Sequence, residues 1–89
     1  VCAIVVTISK KSRQIVCPPE IISRGFIYQQ EATDIITEAK ETIFKNLKAA
    51  DLKSLDQQEL RNTIRKVSTN FFFKKTKRKP MILSIVTEV

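Results

Sequence analysis

The chain has no histidine, no tryptophan, one glycine and two cysteines among its 89 residues. Without histidine it lacks the commonest general acid–base group, the commonest zinc ligand and the base of every Ser-His or Cys-His nucleophile. Two cysteines cannot form a four-thiolate metal site. One glycine also excludes glycine-rich phosphate-binding loops and the KH signature, which needs two glycines. We therefore predict no catalytic residue, no metal ligand and no cofactor in this chain.

The two cysteines indicate a reducing environment. A hairpin turning near residues 11–12 would set Cys17 opposite Val6 rather than opposite Cys2. We interpret both cysteines as small buried apolar residues of a cytoplasmic protein. No stretch is long and apolar enough to span a bilayer and no signal-peptide pattern precedes the first strand, so no membrane partner is expected.

Length and charge narrow the function further. Residues 1–89 are predicted to form a single domain that buries about 60–65% of its unfolded surface, which excludes a deep active-site cleft. The formal net charge of +7 favours a polyanionic partner. Residues 61–89 carry eight of the bases and one acid, whereas residues 31–60 carry seven acids and four bases. Because the chain begins inside an apolar run without methionine, we expect it to be excised from a longer protein.

The hydrophobic pattern predicts the element order β-β-α-α-β. Two adjacent prolines, Pro18 and Pro19, interrupt the second strand, which predicts either an edge strand or an early end to its pairing. Asp56 and Glu59 have the spacing of a capping box at the start of the second helix. The predicted elements are strands at residues 1–9, 14–22 and 81–89 and helices at residues 30–50 and 57–75.

This order predicts an α/β (α+β) domain, with a three-stranded mixed sheet and two helices packed on one face. The first and last strands are apolar on both sides, yet two helices cover only one face. We therefore expect the second face to contact the parent protein or a symmetry mate. The residues predicted for this contact are Ile4, Val6, Ile82 and Val86, or the set that alternates with them.

Several segments in a fixed order resemble a known family. Ser-Arg-Gly-Phe-Ile-Tyr at residues 23–28 precedes an acidic helix, Thr-Lys-Arg-Lys-Pro-Met-Ile-Leu follows at residues 76–83, and Glu-Val closes the chain. With Val-Val-Thr-Ile-Ser-Lys-Lys at residues 5–11, this order resembles the C-terminal domain of ribonuclease J over essentially the whole chain. Two departures are Lys79, where arginine is expected, and the uncharged pair Gln29 and Gln30 before the helix.

The resemblance implies a parent nuclease of the metallo-β-lactamase/β-CASP group that processes and degrades RNA. Its two-zinc centre would be held by histidine and aspartate ligands of an upstream domain, none of which maps onto this chain. For the chain itself the resemblance implies a non-catalytic appendage. Such an appendage would support homodimerisation or docking to the catalytic domains, and would assist in handling RNA.

The strongest candidate for RNA contact is a run of cations near the end of the chain. Such a run can neutralise phosphates and give salt-sensitive affinity, although lysines at a helix end or a sheet edge also occur without any ligand. Arg24 is a further candidate, the alternative being that Gly25 beside it only permits a turn. An independent basic RNA-binding domain is the alternative function. The predicted RNA-contacting residues are Arg24, Lys74, Lys75, Lys77, Arg78 and Lys79.

Three consecutive phenylalanines, Phe71, Phe72 and Phe73, precede these cations. On a helix they point about 100° apart, so they cannot form one flat surface for stacking bases. We expect Phe71 in the core and Phe72 or Phe73 against the sheet or a partner.

Overall fold

A computed structural model describes residues 2–23 and 29–89, with side chains in the second range from residue 33 onward. The predicted element order is confirmed, with a short 3₁₀ helix between the two long helices. The elements are β1 (Cys2–Ile8), β2 (Glu20–Ser23), α1 (Gln29–Ala49), the 3₁₀ helix (Leu52–Ser54), α2 (Gln57–Thr76) and β3 (Ile82–Glu88).

β1 is the central strand of a three-stranded sheet of order β2-β1-β3. It pairs antiparallel with β2, from Cys2 opposite Ser23 to Val5 opposite Glu20. It pairs parallel with β3 over its whole length, starting at Cys2 and Ile82. β1 is rich in isoleucine and valine, whose stiff branched side chains suit a pleated sheet. The mixed sheet predicted from the sequence is therefore confirmed.

One face of this sheet forms the core with the helices. Every second residue of β1 has no exposed surface, and these side chains pack against apolar stripes of α1 and α2. The stripes arise because apolar residues recur at intervals of three and four, which places them on one side of a helix. The helical core residues are Ala39, Ile43, Leu47, Leu60, Ile64, Phe71 and Phe72.

Both ends of α2 are set by local sequence. At its start the Asp56 carboxylate accepts a hydrogen bond from Glu59 N–H at 2.8 Å, and the Glu59 carboxylate accepts one from Asp56 N–H at 3.3 Å. The predicted capping box is thus confirmed. At its end Lys77 adopts a left-handed conformation with φ 60° and ψ 20°. This conformation costs a non-glycine residue about 1–2 kcal/mol, and Pro80 then keeps the chain extended into β3.

The hairpin after β1 differs from the prediction in two respects. Its loop consists of the four residues 10–13, since Ser9 N–H donates to Gln14 O across it. The second strand, however, is reduced to a single bridge between Ile8 and Ile15 followed by the short β2. The intervening segment contains the two adjacent prolines, which have no N–H to donate to the ladder. Cys17, in that segment, is exposed, so the expectation that both cysteines are buried is wrong for Cys17.

Polar side chains form contacts at the end of the sheet where β1 and β3 finish. Gln57 Nε2 donates to Glu88 Oε1 at 2.9 Å, and Arg13 Nη1 lies 3.8 Å from the same oxygen. The hydroxyl oxygens of Thr7 and Thr87 are 3.0 Å apart across β1 and β3. These contacts join the hairpin, the start of α2 and the end of β3 to one another.

Candidate docking face and nucleic-acid interface

The sheet has a second face, directed away from the helices, which we call the open face. Pairing places Ile22 and Leu83 on either side of Ala3, and Glu20 and Ile85 on either side of Val5. Of these, Ile22 is 50% exposed, Leu83 55% and Ile85 39%. A soluble protein seldom leaves neighbouring large aliphatic side chains of one sheet face in water unless they serve a contact. The residues of the open face are Ala3, Val5, Thr7, Glu20, Ile22, Leu83, Ile85 and Thr87.

The residues first named for a contact with another surface lie on the other side of the sheet. Ile4 and Val6 have no exposed surface, Ile82 is 8% exposed and Val86 is partly buried against the core. Their side chains face the helices because they alternate along β1 and β3 with those of the open face. The exposed large aliphatic side chains of the three strands therefore belong to the alternate-facing set.

The basic segment, residues 74–79, divides into two parts. Lys75 Nζ lies 2.7 Å from Glu38 Oε1 on α1 and 6.0 Å from the centre of the Phe71 ring. Lys74 and Lys75 also line a groove between α1 and α2. The first part of the segment thus faces the helix pair, and one of its charges already has a partner.

The second part surrounds an exposed aromatic ring. Lys77 Nζ lies 5.9 Å and Lys79 Nζ 5.3 Å from the centre of the Phe73 ring, which is 43% exposed. Within residues 2–23 and 29–89, Lys77, Arg78 and Lys79 form no ion pair. Three unpaired cations and one exposed aromatic ring are therefore available on this side of the molecule.

The turn that holds these groups is fixed by backbone hydrogen bonds. Lys77 N–H donates to Phe73 O at 2.8 Å, and Arg78 N–H donates to Thr76 Oγ1 at 3.2 Å. Thr76 Oγ1 in turn donates to Phe72 O at 2.8 Å. The left-handed Lys77 reverses the chain at this point, which brings Lys79 back beside Phe73.

Two further predictions concern other parts of the chain. Arg24 lies outside the described residues. In the part of the chain that is described, no group of three or more potential ligands is placed to hold a metal ion, and the sequence has no histidine. These residues do not fit the zinc centre that the resemblance implies for the parent. Neither α1 nor α2, as described, is both long and apolar enough to cross a membrane.

Comparison with known sequences identifies the family. The model of the ribonuclease J C-terminal domain matches residues 1–89, which is the whole chain. The chain belongs to the ribonuclease J C-terminal domain family. The resemblance noted in the sequence is thereby confirmed.

Relatives of this domain are whole proteins of much greater length. Ribonuclease J2 of Bacillus subtilis (strain 168) is 36% identical over 87 residues, which cover 97% of this chain and 16% of that protein. Ribonuclease J 2 of Staphylococcus aureus (strain NCTC 8325 / PS 47) is 36% identical over 86 residues, which cover 96% of this chain and 15% of that protein. The chain thus spans about one sixth of the length of these relatives.

The prediction that Phe71 lies in the core is confirmed, but the sequence left open which of Phe72 and Phe73 would be buried. Phe71 is 8% exposed and Phe72 is fully buried, with their rings edge to face and centroids 5.4 Å apart. Phe73 points outward instead. Phe73 could have been identified by the lysines that follow it. Lys77 and Lys79 come four and six residues later, and both approach its ring because α2 ends at Thr76.

Proposed function

We propose that the chain is the non-catalytic C-terminal module of a ribonuclease J-type nuclease that processes and degrades RNA. In this role the open face docks on the catalytic body or on a second copy of the chain, and the basic segment makes auxiliary contacts with RNA. The parent would be a zinc-dependent cytoplasmic ribonuclease whose catalytic groups lie outside this chain.

The observation that carries this proposal is the match of the whole chain to the family. A module of a nuclease needs no catalytic groups of its own, which agrees with a sequence that lacks histidine. It does need a way to remain attached to its partners. The open face supplies neighbouring apolar side chains from all three strands, interrupted only by Glu20 and ending in the Thr7 and Thr87 hydroxyls.

Docking through the open face is favoured energetically. Burial of apolar surface contributes about 25 cal/mol per Å², so large side chains that are half exposed gain from being covered. Leu83 and Ile85 lie two residues apart on β3, and Ile22 lies on β2 at the other edge of the sheet. A flat partner could therefore cover all three side chains together. Charged groups placed among them would oppose such a contact, because a buried unpaired charge is costly.

The decisive experiment compares association of the 89-residue chain with that of a double variant, Leu83→Lys with Ile85→Glu. Size-exclusion chromatography with light scattering should show the wild type rising towards the mass of two chains as concentration increases, and the variant remaining at one. Asn62→Lys with Asn70→Glu is the matched control, because it adds the same two charges at exposed positions of α2, which packs on the other face of the sheet. It should associate like the wild type.

The other outcomes are equally informative. A single-chain mass at every concentration would contradict self-association; the double variant should then loosen the domain from the catalytic body in the complete nuclease, seen as a separate unfolding transition. If the double variant behaves like the wild type in both settings, docking through the open face is wrong.

An independent basic RNA-binding domain is the second candidate, favoured by the net charge of +7 and the unpaired cations at residues 77–79. It would be supported by a monomer that binds short RNA at nanomolar concentration in physiological salt.

A further inference from the structure

We propose that Phe73 stacks on one unpaired base of a single-stranded RNA, while Lys77 and Lys79 contact the phosphates on either side of that base. This inference rests on the proposed function, since it specifies which RNA the basic segment contacts and how. It adds a residue, Phe73, that a purely electrostatic contact would not use.

The first support is the exposure of the ring. Phe71 and Phe72 already fill the core, so packing of the domain does not require a third aromatic side chain at this position. Phe73 nevertheless keeps 43% of its surface in solvent. An isolated exposed ring offers a π-face on which any base can stack, and this is how many proteins hold single strands without sequence preference.

The second support is the arrangement of charge around the ring. The two ammonium groups lie 5.9 and 5.3 Å from its centre, and they belong to residues on either side of Arg78. Because Lys77 is fixed by its left-handed conformation and its hydrogen bond to Phe73 O, this grouping exists before any ligand arrives. Preorganised groups lose less freedom on binding, which increases affinity.

The relative strengths of the lysine–ring contact and of base stacking allow a base to replace a lysine on the Phe73 ring. An exposed contact between a lysine and a ring shifts an equilibrium by a factor of about two to five. Base stacking on an aromatic side chain shifts it by about five- to 150-fold. A base can therefore displace an ammonium group from the ring, and the flexible lysine stem lets that group move to a neighbouring phosphate.

The ring favours single strands over the other polyanions that a basic segment could meet. Bases of a duplex are already stacked and paired, so their faces cannot reach Phe73. An acidic protein or inorganic polyphosphate would engage the cations and leave the ring unused. Inorganic polyphosphate therefore serves as the comparison ligand in the experiment below.

A fluorescent reporter separates stacking from charge. The sequence contains no tryptophan, so Phe73→Trp introduces a single one at the proposed stacking position. Addition of a short single-stranded oligouridylate should quench its emission, with the same midpoint as binding measured by anisotropy of labelled RNA. Inorganic polyphosphate should bind without comparable quenching. Binding of the oligouridylate without quenching would overturn the proposal.

Affinity measurements supply the second readout. Phe73→Leu keeps an apolar side chain and the charge but removes the ring, so affinity for the oligouridylate should fall about five- to 150-fold. The slope of log affinity against log salt should stay the same, because no cation is lost. Circular dichroism melting should confirm that the variant is folded. Unchanged affinity in the folded variant would contradict the stacking role.

Variants that remove cations distinguish failure of this inference from failure of the proposed RNA contact. Alanine at Lys77, Arg78 and Lys79 should reduce the salt slope by at least about 1.4, given two phosphate contacts by the lysines and about 0.7 per contact on a single strand. The control removes three cations elsewhere, at Lys45, Lys48 and Lys53, and should leave most of the slope. If the first variant alone lowers the slope while Phe73→Leu changes nothing, RNA contact stands and stacking is wrong. If neither changes binding, the RNA contact itself is wrong.

Discussion

The two faces of the sheet are built from the same kinds of residue and yet have opposite surroundings. Ile4 and Val6 of β1 have no exposed surface, whereas Leu83 and Ile85 of β3, on the other face, are 55% and 39% exposed. Composition therefore does not distinguish the face covered by the helices from the open face. What distinguishes them is the packing of the two helices, which cover one side only.

This comparison separates two uses of hydrophobic surface. On the helix-covered face, burial within the chain provides the stability of the domain. On the open face, side chains of the same types contribute less to folding and remain available to another surface. Substitutions that are chemically equal should accordingly have unequal effects, and the following experiments test that inequality.

The largest difference is expected between Ile4→Ala and Ile85→Ala. Ile4 is fully buried, so its truncation should lower the free energy of unfolding by about 2–5 kcal/mol. Ile85 is partly in solvent, and its truncation should cost about 1 kcal/mol or less. Urea denaturation followed by circular dichroism, at low protein concentration to minimise association, measures both. Equal losses would contradict the comparison.

A finer test uses two neighbouring residues of β1. Threonine has nearly the shape of valine but carries a hydroxyl, which is costly to bury without a partner. Val6→Thr on the helix-covered face should lower the free energy of unfolding by about 1–3 kcal/mol. Val5→Thr on the open face should change it by about 0.5 kcal/mol or less. The opposite order would show that the two faces of β1 have been exchanged.

The smallest effect is expected when the reactivities of the two cysteine thiols are compared. Cys17 is exposed and should react with a thiol reagent in the native state, whereas Cys2 should react only after unfolding. Burial also raises the pKa of the Cys2 thiol above its ordinary value of 9.0. Labelling of Cys2→Ser and Cys17→Ser, each with one thiol left, assigns the rates. Fast native labelling in Cys17→Ser would show that Cys2 is accessible.

The raised pKa also sets a pH dependence. Because the native state keeps Cys2 protonated at pH values where the unfolded chain begins to ionise, unfolding is favoured as the pH rises above 9.0. The stability contributed by the neutral thiol is complete below that pH and declines above it. Cys2→Ala should remove this part of the alkaline loss, as measured by urea denaturation across that range.

Much of the fold was predictable because several local signals agreed. The capping-box spacing of Asp56 and Glu59 located the start of α2, and the hydrophobic period located both helices to within about two residues. The parallel pairing of the first and last strands followed from the element order. Pro18 and Pro19 indicated an edge strand or an early end to its pairing; in the structure the pairing is interrupted at the prolines and resumes in the short β2.

The choice of covered face could not be predicted, because β1 is apolar on both sides and its sequence contains no alternation to read. The same limit applied to two of the phenylalanines, since the helical period assigned Phe71 to the core but left open which of Phe72 and Phe73 faces outward. In both cases the answer depends on how α2 lies against the sheet. That packing involves residues distant in sequence, which local patterns do not report.

The parallel pairing of β1 with β3 has a consequence for how the domain is made. Cys2 pairs with Ile82 and Ile8 with Glu88, so the central strand must wait for the end of this sequence before its main ladder can close. Until then only the short hairpin with β2 is available, and an isolated hairpin is marginally stable in water. During synthesis the apolar first strand therefore leaves the ribosome before its partner strand, and its surface is prone to aggregation until the ladder closes.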